Sequence, residues 1–543
     1  MTVTDERRNQ LPRVGGQNVV VIGGGVGGLA TSALLAREGH HVTLLEKRDQ
    51  VGGRAGSWEQ DGFRFDTGPS WYLMPEVIDH FFKLMGTSAA EQLDLVKLDP
   101  GYRVIFEDGL ETVDVPADRE AVTKLFESIE EGAGAQLSRY LDSAEDAYEM
   151  SKKRFLYSTF ESFTPFLRPD VLRRLPRIGS LLLQSLHSFV EKRFKDPKLQ
   201  QILGYPAVFL GSSPFDAPSM YHLMSHLDLD DGVLYPMGGF TTLVDAMRRV
   251  AVTAGVDIRT EADVVSIDTD PRTPSRSRLD RQAATVRAVT YRSEGGTTTL
   301  DADIVVSAAD LHHTETTLLP DALQTYPETY WEKRVAGPSA LLLYLGVRGG
   351  LPQLEHHTLL FTTDWRDNFG RIFGKETSVP TPASLYVCRP SATDDSVAPD
   401  GHENIFVLVP IPADVTIGKG GLDGGGDARV EELADVVVQQ ISDWAGIPDL
   451  AERIVVRRSY GPQDFATDLN AWKGTSLGPA HILKQSAFFR GSNRSAKVEN
   501  LFYAGSSTVP GIGIPMCLIS AELIVKRLRG DTSTGPLREP AVG

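Results

Sequence analysis

Cysteine is nearly absent from this chain of 543 residues: Cys388 and Cys517 are the two it has, far apart and in no CxxC pair. That excludes a disulfide framework and a redox dithiol, and a reducing compartment suits it. Long apolar runs are missing too. None reaches the roughly 18 uninterrupted apolar residues of a spanning helix, and the richest stretch, 501–525, is broken by Gly505, Pro510, Gly511, Gly513 and Pro515. The opening MTVTDERRNQLPRVGGQ lacks the apolar core of a signal peptide. Positive charge is in deficit: the formal net charge is −17, against the basic face that a nucleic-acid partner requires. These absences predict a cytoplasmic protein that is not integral to a membrane and binds no nucleic acid. No metal site is expected, because His312-His313 and His356-His357 are sequence neighbours whose side chains point apart, with no Cys or carboxylate at ligand spacing.

What the chain has is a glycine-rich turn in a specific setting. Residues 19–46 read VVVIGGGVGGLATSALLAREGHHVTLLE. Four apolar residues, 19–22, predict a buried parallel strand. The next six, Gly23 to Gly28, fit G-x-G-x-x-G at Gly23, Gly25 and Gly28. A helix is expected over 27–37, stopped by Gly39, then a second strand over 42–45 ending in Glu46. Gly23 permits the turn, Gly25 lets the backbone approach a pyrophosphate, and Gly28 lets the helix lie close to the sheet. The helix start at Val26 and Gly27 offers free N–H groups to the phosphates. Glu46 stands about twenty residues on, where an acid accepts hydrogen bonds from an adenosine ribose, and its charge argues against a 2′-phosphate. Directly after it, Lys47 leads into Gly52-Gly53-Arg54, whose backbone and guanidinium form a second anion cradle.

At this point the sequence resembles the flavoprotein superfamily that includes amine oxidases, carotenoid desaturases and GDP-dissociation inhibitors. The resemblance implies that Gly52, Gly53 and Arg54 contact the FAD pyrophosphate and ribityl region. It implies also that the turn Gly68-Pro69-Ser70, within a segment similar to the desaturase FD-x-GP, lies near the flavin ring. Residues 235–239 are similar to the family's YP-x-GG turn, and the backbone of Val264 or Val265 is expected at the adenine edge. At the far end, the strand 501–504 runs into Gly505-Ser506 and on to Gly513-Ile514-Pro515, before a helix predicted over 516–529. Residues 500–521 closely resemble the signature of bacterial-type phytoene desaturases. Ser506 departs from the wider superfamily, where an acid often follows the glycine, so that acid's phosphate contact does not carry over. Cradles at both ends of the chain point to FAD rather than NAD.

The resemblance implies an α/β fold: a Rossmann-like FAD-binding domain, a discontinuous α+β substrate domain and a helical, membrane-associating lobe. The expected bounds are 17–110, 232–309 and 488–530 for the FAD domain, 111–231 for the lobe and 310–487 for the substrate domain, with 1–16 and 531–543 as flexible termini. From Asp118 to about Met150 the pattern is helical and acidic, as suits a solvated face. Residues 152–198 then carry eleven basic and four acidic residues, a local charge of +7 interleaved with Phe155, Phe160, Phe163, Phe166 and the leucines 181–183. That mixture suits the inner face of the cell membrane. The glycine-rich 417–427 lacks a phosphate-loop pattern and is expected to be a flexible surface loop, as is 268–282.

The implied reaction is desaturation of a C40 polyene such as phytoene, with oxygen or a membrane quinone as electron acceptor. No side chain is marked as proton acceptor; His222, His226 and Asp310 are candidates for which structural roles weigh more. The alternatives are another carotenoid-processing flavoenzyme (isomerase, ketolase or diapocarotene desaturase), an amine oxidase, or a non-enzymatic prenyl-lipid binder. The last has no need of Gly23, Gly25, Gly28 and Glu46.

Overall fold

The apolar run at 19–22 is buried on both sides, and the sheet around it explains why. In the computed structural model, which describes residues 15–107, 111–161, 169–272 and 282–540, Asn18–Ile22 is the central strand of a five-stranded parallel sheet. Its neighbours are His41–Leu45 and Ile304–Ser307, with Asp257–Arg259 and Leu501–Tyr503 at the edges. Val19 and Val21 pack into one apolar cluster with the helices Val26–Arg37, Phe240–Thr253 and Ile514–Arg529. Val20 and Ile22 pack on the other face, against the three-stranded sheet Asp263–Pro271, Ala284–Ser293 and Gly296–Asp301. With both faces covered, no polar alternation survives in the strand.

A second sheet has seven strands, in the order Ile454–Tyr460, Ser339–Arg348, His402–Ile411, Leu385–Cys388, His357–Phe361, Tyr102–Phe106 and Thr112–Val115. Leu341, Leu343 and Leu345 face a core that includes Val430, Val437 and Trp444 of the helix Ala428–Ala445. Ala340, Leu342 and Tyr344 face the opposite way, into the core shared with the helical lobe. That lobe includes Arg119–Ile129, Ala133–Ser151, Pro169–Leu183, Leu186–Glu191 and Pro197–Gly204.

Several expectations change. The boundary expected at 110 falls inside the hairpin 102–115, which belongs to the second sheet through the parallel register Thr358–Arg103 to Phe361–Phe106. The pairing joins segments some 250 positions apart, so no local signal marks it. The strand Asp263–Pro271 takes up the start of the loop expected at 268–282, and 273–281 lie outside the described residues, as do 1–14, 108–110, 162–168 and 541–543. The glycine loop at 417–427 packs on the edge of the second sheet: Gly421 N donates to Ser459 Oγ at 2.9 Å, and a Cβ on Gly420 would lie 2.1 Å from the Ser459 carbonyl. The tail after 530 is tied down as well. Lys526 Nζ donates to the carbonyls of Ser533 and Gly535, and Glu539 meets His80 at 2.9 Å.

Candidate functional site

A cavity of about 990 Å³ is lined from both sheets and the helical lobe. Of the residues singled out in sequence, Gly23, Gly25, Val26, Gly27, Glu46, Lys47, Gly52, Gly53, Arg54, Gly68, Pro69, Ser70, Val264, Gly505, Ser506, Gly513, Ile514 and Pro515 all line it. Gly28 stands behind, buried, where a Cβ would lie 1.9 Å from the Gly23 carbonyl oxygen. Its role is the close contact of helix with strand.

Three glycine turns interlock at this end. Gly52 N donates to the Gly24 carbonyl at 2.8 Å, a Cβ on Gly53 would sit 3.1 Å from Gly25 Cα, and one on Gly27 would sit 3.1 Å from Gly505 Cα. Any larger residue at Gly53 or Gly27 drives these backbones apart. The helices Val26–Arg37 and Ile514–Arg529 begin at Gly25 and Gly513, neither with a side-chain cap. Two uncapped helix N-termini at one cavity present N–H groups and positive dipole ends to an anion. The residues present therefore fit a dinucleotide with its diphosphate at this end.

Glu46 is buried, with Oε2 accepting from Gly24 N at 2.6 Å and Oε1 from Arg48 N at 2.8 Å. These two bonds fix the carboxylate and leave lone pairs for ribose hydroxyls. Arg54 does more than the sequence suggests: Nε donates to the Ser476 carbonyl at 2.6 Å and Nη2 to that of Thr475 at 3.3 Å. It thus clamps the glycine turn to residues 475–476. Lys47 directs its ammonium to the Thr467 carbonyl and to Asn470 Oδ1. Asp66, of the FD-x-GP segment, accepts from Phe240 N at 2.7 Å and Thr241 N at 3.1 Å. It caps the helix that follows the YP-x-GG turn, so the two motifs meet in space. Burial pushes its carboxyl up to about 6 despite these bonds. Arg490 donates to the Ser506 carbonyl through Nε and Nη2 and holds the closing turn; burial lowers its guanidinium to about 10.

The remaining wall was not legible in sequence. Trp71, Tyr205, Phe209, Phe361, Trp365, Phe369 and Tyr386 line it, from segments that each read as ordinary core. Trp71 stacks on His357 at 4.5 Å, and Ser70 Oγ and Tyr386 Oη lie 2.7 Å apart. Further along, Phe155, Leu156, Phe160, Ile178, Leu182, Phe488 and Phe489 line the same cavity. Leu183, Phe488 and Phe489 are exposed, at 82%, 55% and 49%.

The proton-acceptor candidates take structural roles. His222 is fully buried, with Nδ1 at 2.8 Å from the Ser219 carbonyl and Nε2 at 2.9 Å from Ser143 Oγ, and burial lowers it to about 4. His226 pairs with Asp230 at 3.1 Å. Neither lines the cavity, whereas Asp310 does, but its carboxylate accepts from His312 N and His313 N as the cap of Leu311–Thr317. At His356-His357 a cysteine does stand at ligand distance, contrary to the spacing in sequence. The fold brings Cys388 beside both, and one ligand atom from each of the three lies within 4.8 Å of the others.

The profile of the family described as flavin containing amine oxidoreductase matches residues 26–528. The chain is 43% identical over 516 residues to a carotenoid 3,4-desaturase of Haloarcula japonica, covering 95% of this chain and 99% of that one. It is 34% identical over 519 residues to a zeta-carotene-forming phytoene desaturase of Myxococcus xanthus, covering 94% of each. Among solved structures, an oxidoreductase from Methanosarcina mazei superposes with a TM-score of 0.59 at 16% identity, over 94% of this chain and 100% of that one. Putrescine oxidase bound to putrescine gives 0.56 at 14% identity, over 95% and 98%. These two structures share the fold.

Proposed function

The chain belongs to the flavin-containing amine oxidoreductases and, within them, to the carotenoid desaturases, and from that premise we propose that it desaturates a C40 carotenoid precursor, converting phytoene to more conjugated products such as lycopene. Its cofactor is FAD. The observation that carries the substrate reading is the division of one cavity into two chemistries. Charged lining residues such as Glu46, Lys47 and Arg54 belong to the dinucleotide turns and their neighbours. Segments 205–223 and 359–386 contribute only uncharged linings, among them Tyr205, Phe209, Leu223, Phe361, Trp365 and Tyr386. An amine substrate gains from a carboxylate beside its ammonium, and this wall has none; a polyene needs apolar and aromatic surface.

When bound, FAD supplies the hydride-accepting ring for a reaction in which an allylic methylene loses hydride and its neighbour a proton. The chain holds the polyene against that ring, fixes which carbons face it and excludes water. Ser70 and Tyr386, whose hydroxyls lie 2.7 Å apart next to Gly68-Pro69, satisfy each other and leave neither hydroxyl unpaired on that stretch of wall.

A polyene of this kind resides in a bilayer, and the proposal includes peripheral association with the inner face of the cell membrane. No helix among the described residues is long and apolar enough to cross a membrane. The exposed Leu183, Phe488 and Phe489 adjoin the apolar cavity lining, and Arg173, Arg174 and Arg177 are exposed on the helix Pro169–Leu183. Apolar tips with basic neighbours suit an anionic lipid surface. Oxygen or a membrane quinone would serve as the electron acceptor of the FAD-loaded protein. The test is turnover of phytoene in liposomes with FAD and quinone; turnover with NAD alone, under anaerobic conditions and as fast as with quinone, contradicts the acceptor assignment.

A further inference from the structure

His356, His357 and Cys388 form a buried cluster that the desaturation chemistry does not use. His357 begins the strand His357–Phe361 and Cys388 ends Leu385–Cys388, and the antiparallel register sets the two directly opposite each other. His356 precedes the strand, its ring 4.6 Å from that of His357 and at 74° to it. All three are buried, and each offers a ligand atom within 4.8 Å of the other two.

The hydrogen bonds around the rings are those of a ligand pair. His356 Nδ1 lies 2.8 Å from Thr393 Oγ1, and His357 Nδ1 lies 2.7 Å from Tyr386 Oη. A hydroxyl oxygen that accepts from Nδ1–H fixes the tautomer and leaves the Nε2 lone pair free, the arrangement found behind histidines that bind metals. In both residues Nε2 is buried without any hydrogen-bond partner. Leaving such a group unsatisfied is costly, so two side by side, opposite a thiol, need an explanation. We propose that His356 Nε2, His357 Nε2 and Cys388 Sγ bind one soft d10 metal cation, monovalent copper in preference to zinc.

The choice follows from charge. All three side chains are buried, and a coordinating thiol gives up its proton to the cation it binds. A thiolate with Cu(I) is neutral overall and fits a closed, apolar, three-ligand site, whereas Zn(II) leaves a net positive charge and seeks a fourth ligand. The site lies behind the cavity wall through Trp71 and Tyr386, both in contact with His357, so the cation would stiffen that wall. The inference does not rest on the substrate assignment.

The test uses the flavin-loaded protein, reduced and anaerobic, titrated with Cu(I) held by a colorimetric chelator and, separately, with Zn(II) and Co(II). The expected results are one Cu(I) per chain, tighter than zinc, and a thiolate-to-cobalt charge-transfer band in the near ultraviolet for the Co(II) form. Cys388→Ser and His356→Phe, with flavin content unchanged as the check on folding, should abolish that band. Tyr386→Phe removes the one hydroxyl shared by His357 Nδ1, Ser70 and Cys388 and should weaken Cu(I) binding about 10- to 100-fold, a reading that stands if the other variants fail to fold. Failure of the wild type to take Cu(I) from the chelator, zinc bound more tightly than copper, or unchanged copper affinity in Tyr386→Phe or in flavin-loaded Cys388→Ser overturns the proposal.

Discussion

Two glycines three positions apart separate cofactor binding from folding. A Cβ on Gly25 meets nothing closer than 3.9 Å, and the residue's φ of −69° suits any side chain. Gly25→Ala is therefore expected to leave the melting of the flavin-free protein within about 0.5 kcal/mol of wild type. It should weaken FAD at least about tenfold, or 1.4 kcal/mol, because the methyl occupies the approach to the diphosphate. Gly28→Ala should do the reverse, losing roughly 1–3 kcal/mol of stability or failing to fold, since its Cβ would sit 1.9 Å from the Gly23 carbonyl oxygen. Flavin titration beside thermal melting checks both, and wild-type affinity in Gly25→Ala removes the diphosphate from this turn. His222 makes a prediction in pH. It titrates at about 4 in the fold against its ordinary 6.5, so between these values the unfolded chain holds more protons. Its contribution is complete above pH 6.5 and is lost as pH falls towards 4, on the order of 3 kcal/mol in all. Denaturant melts of wild type and His222→Gln at pH 7.5 and 4.5 should show a flatter pH dependence in the variant.

At the level of elements, the exposed side chains of Leu183, Phe488 and Phe489 carry the membrane prediction. Leu183→Glu with Phe488→Ser and Phe489→Ser should reduce flotation with anionic liposomes at least about tenfold, since each buried apolar side chain contributes about 1.5–3 kcal/mol. Equal flotation removes these side chains from the interface. Charge reversal along the helix Pro169–Leu183 is a less clean test than the sequence suggests, because Arg174 and Arg177 both bind Asp146, at 2.8 and 2.5 Å. Arg173→Glu is the better single change.

The elements legible in sequence are those whose function is local. The strand, glycine turn, helix and Glu46 lie within thirty residues, and every distance that matters is set by the chain itself; the closing turn at 505–515 is legible for the same reason. Trp71 lies in the loop after the FD-x-GP segment, Tyr205 in the helical lobe, Trp365 at the start of the helix Trp365–Phe373 and Tyr386 on the second sheet, so they meet only in the folded chain. His356 and His357 gain the neighbour Cys388 only through the register of His357–Phe361 with Leu385–Cys388.

For the whole molecule, the account joins a dinucleotide end, built from the two ends of the chain, to an uncharged cavity wall built from its middle. The most direct test is to incubate the purified protein with FAD, a quinone and phytoene-loaded liposomes and to follow the absorption spectrum. The account predicts a yellow, flavin-bound protein and the growth of structured visible bands as conjugation lengthens. A protein that binds FAD and reduces its acceptor with an amine substrate, while the phytoene spectrum stays unchanged, would contradict it.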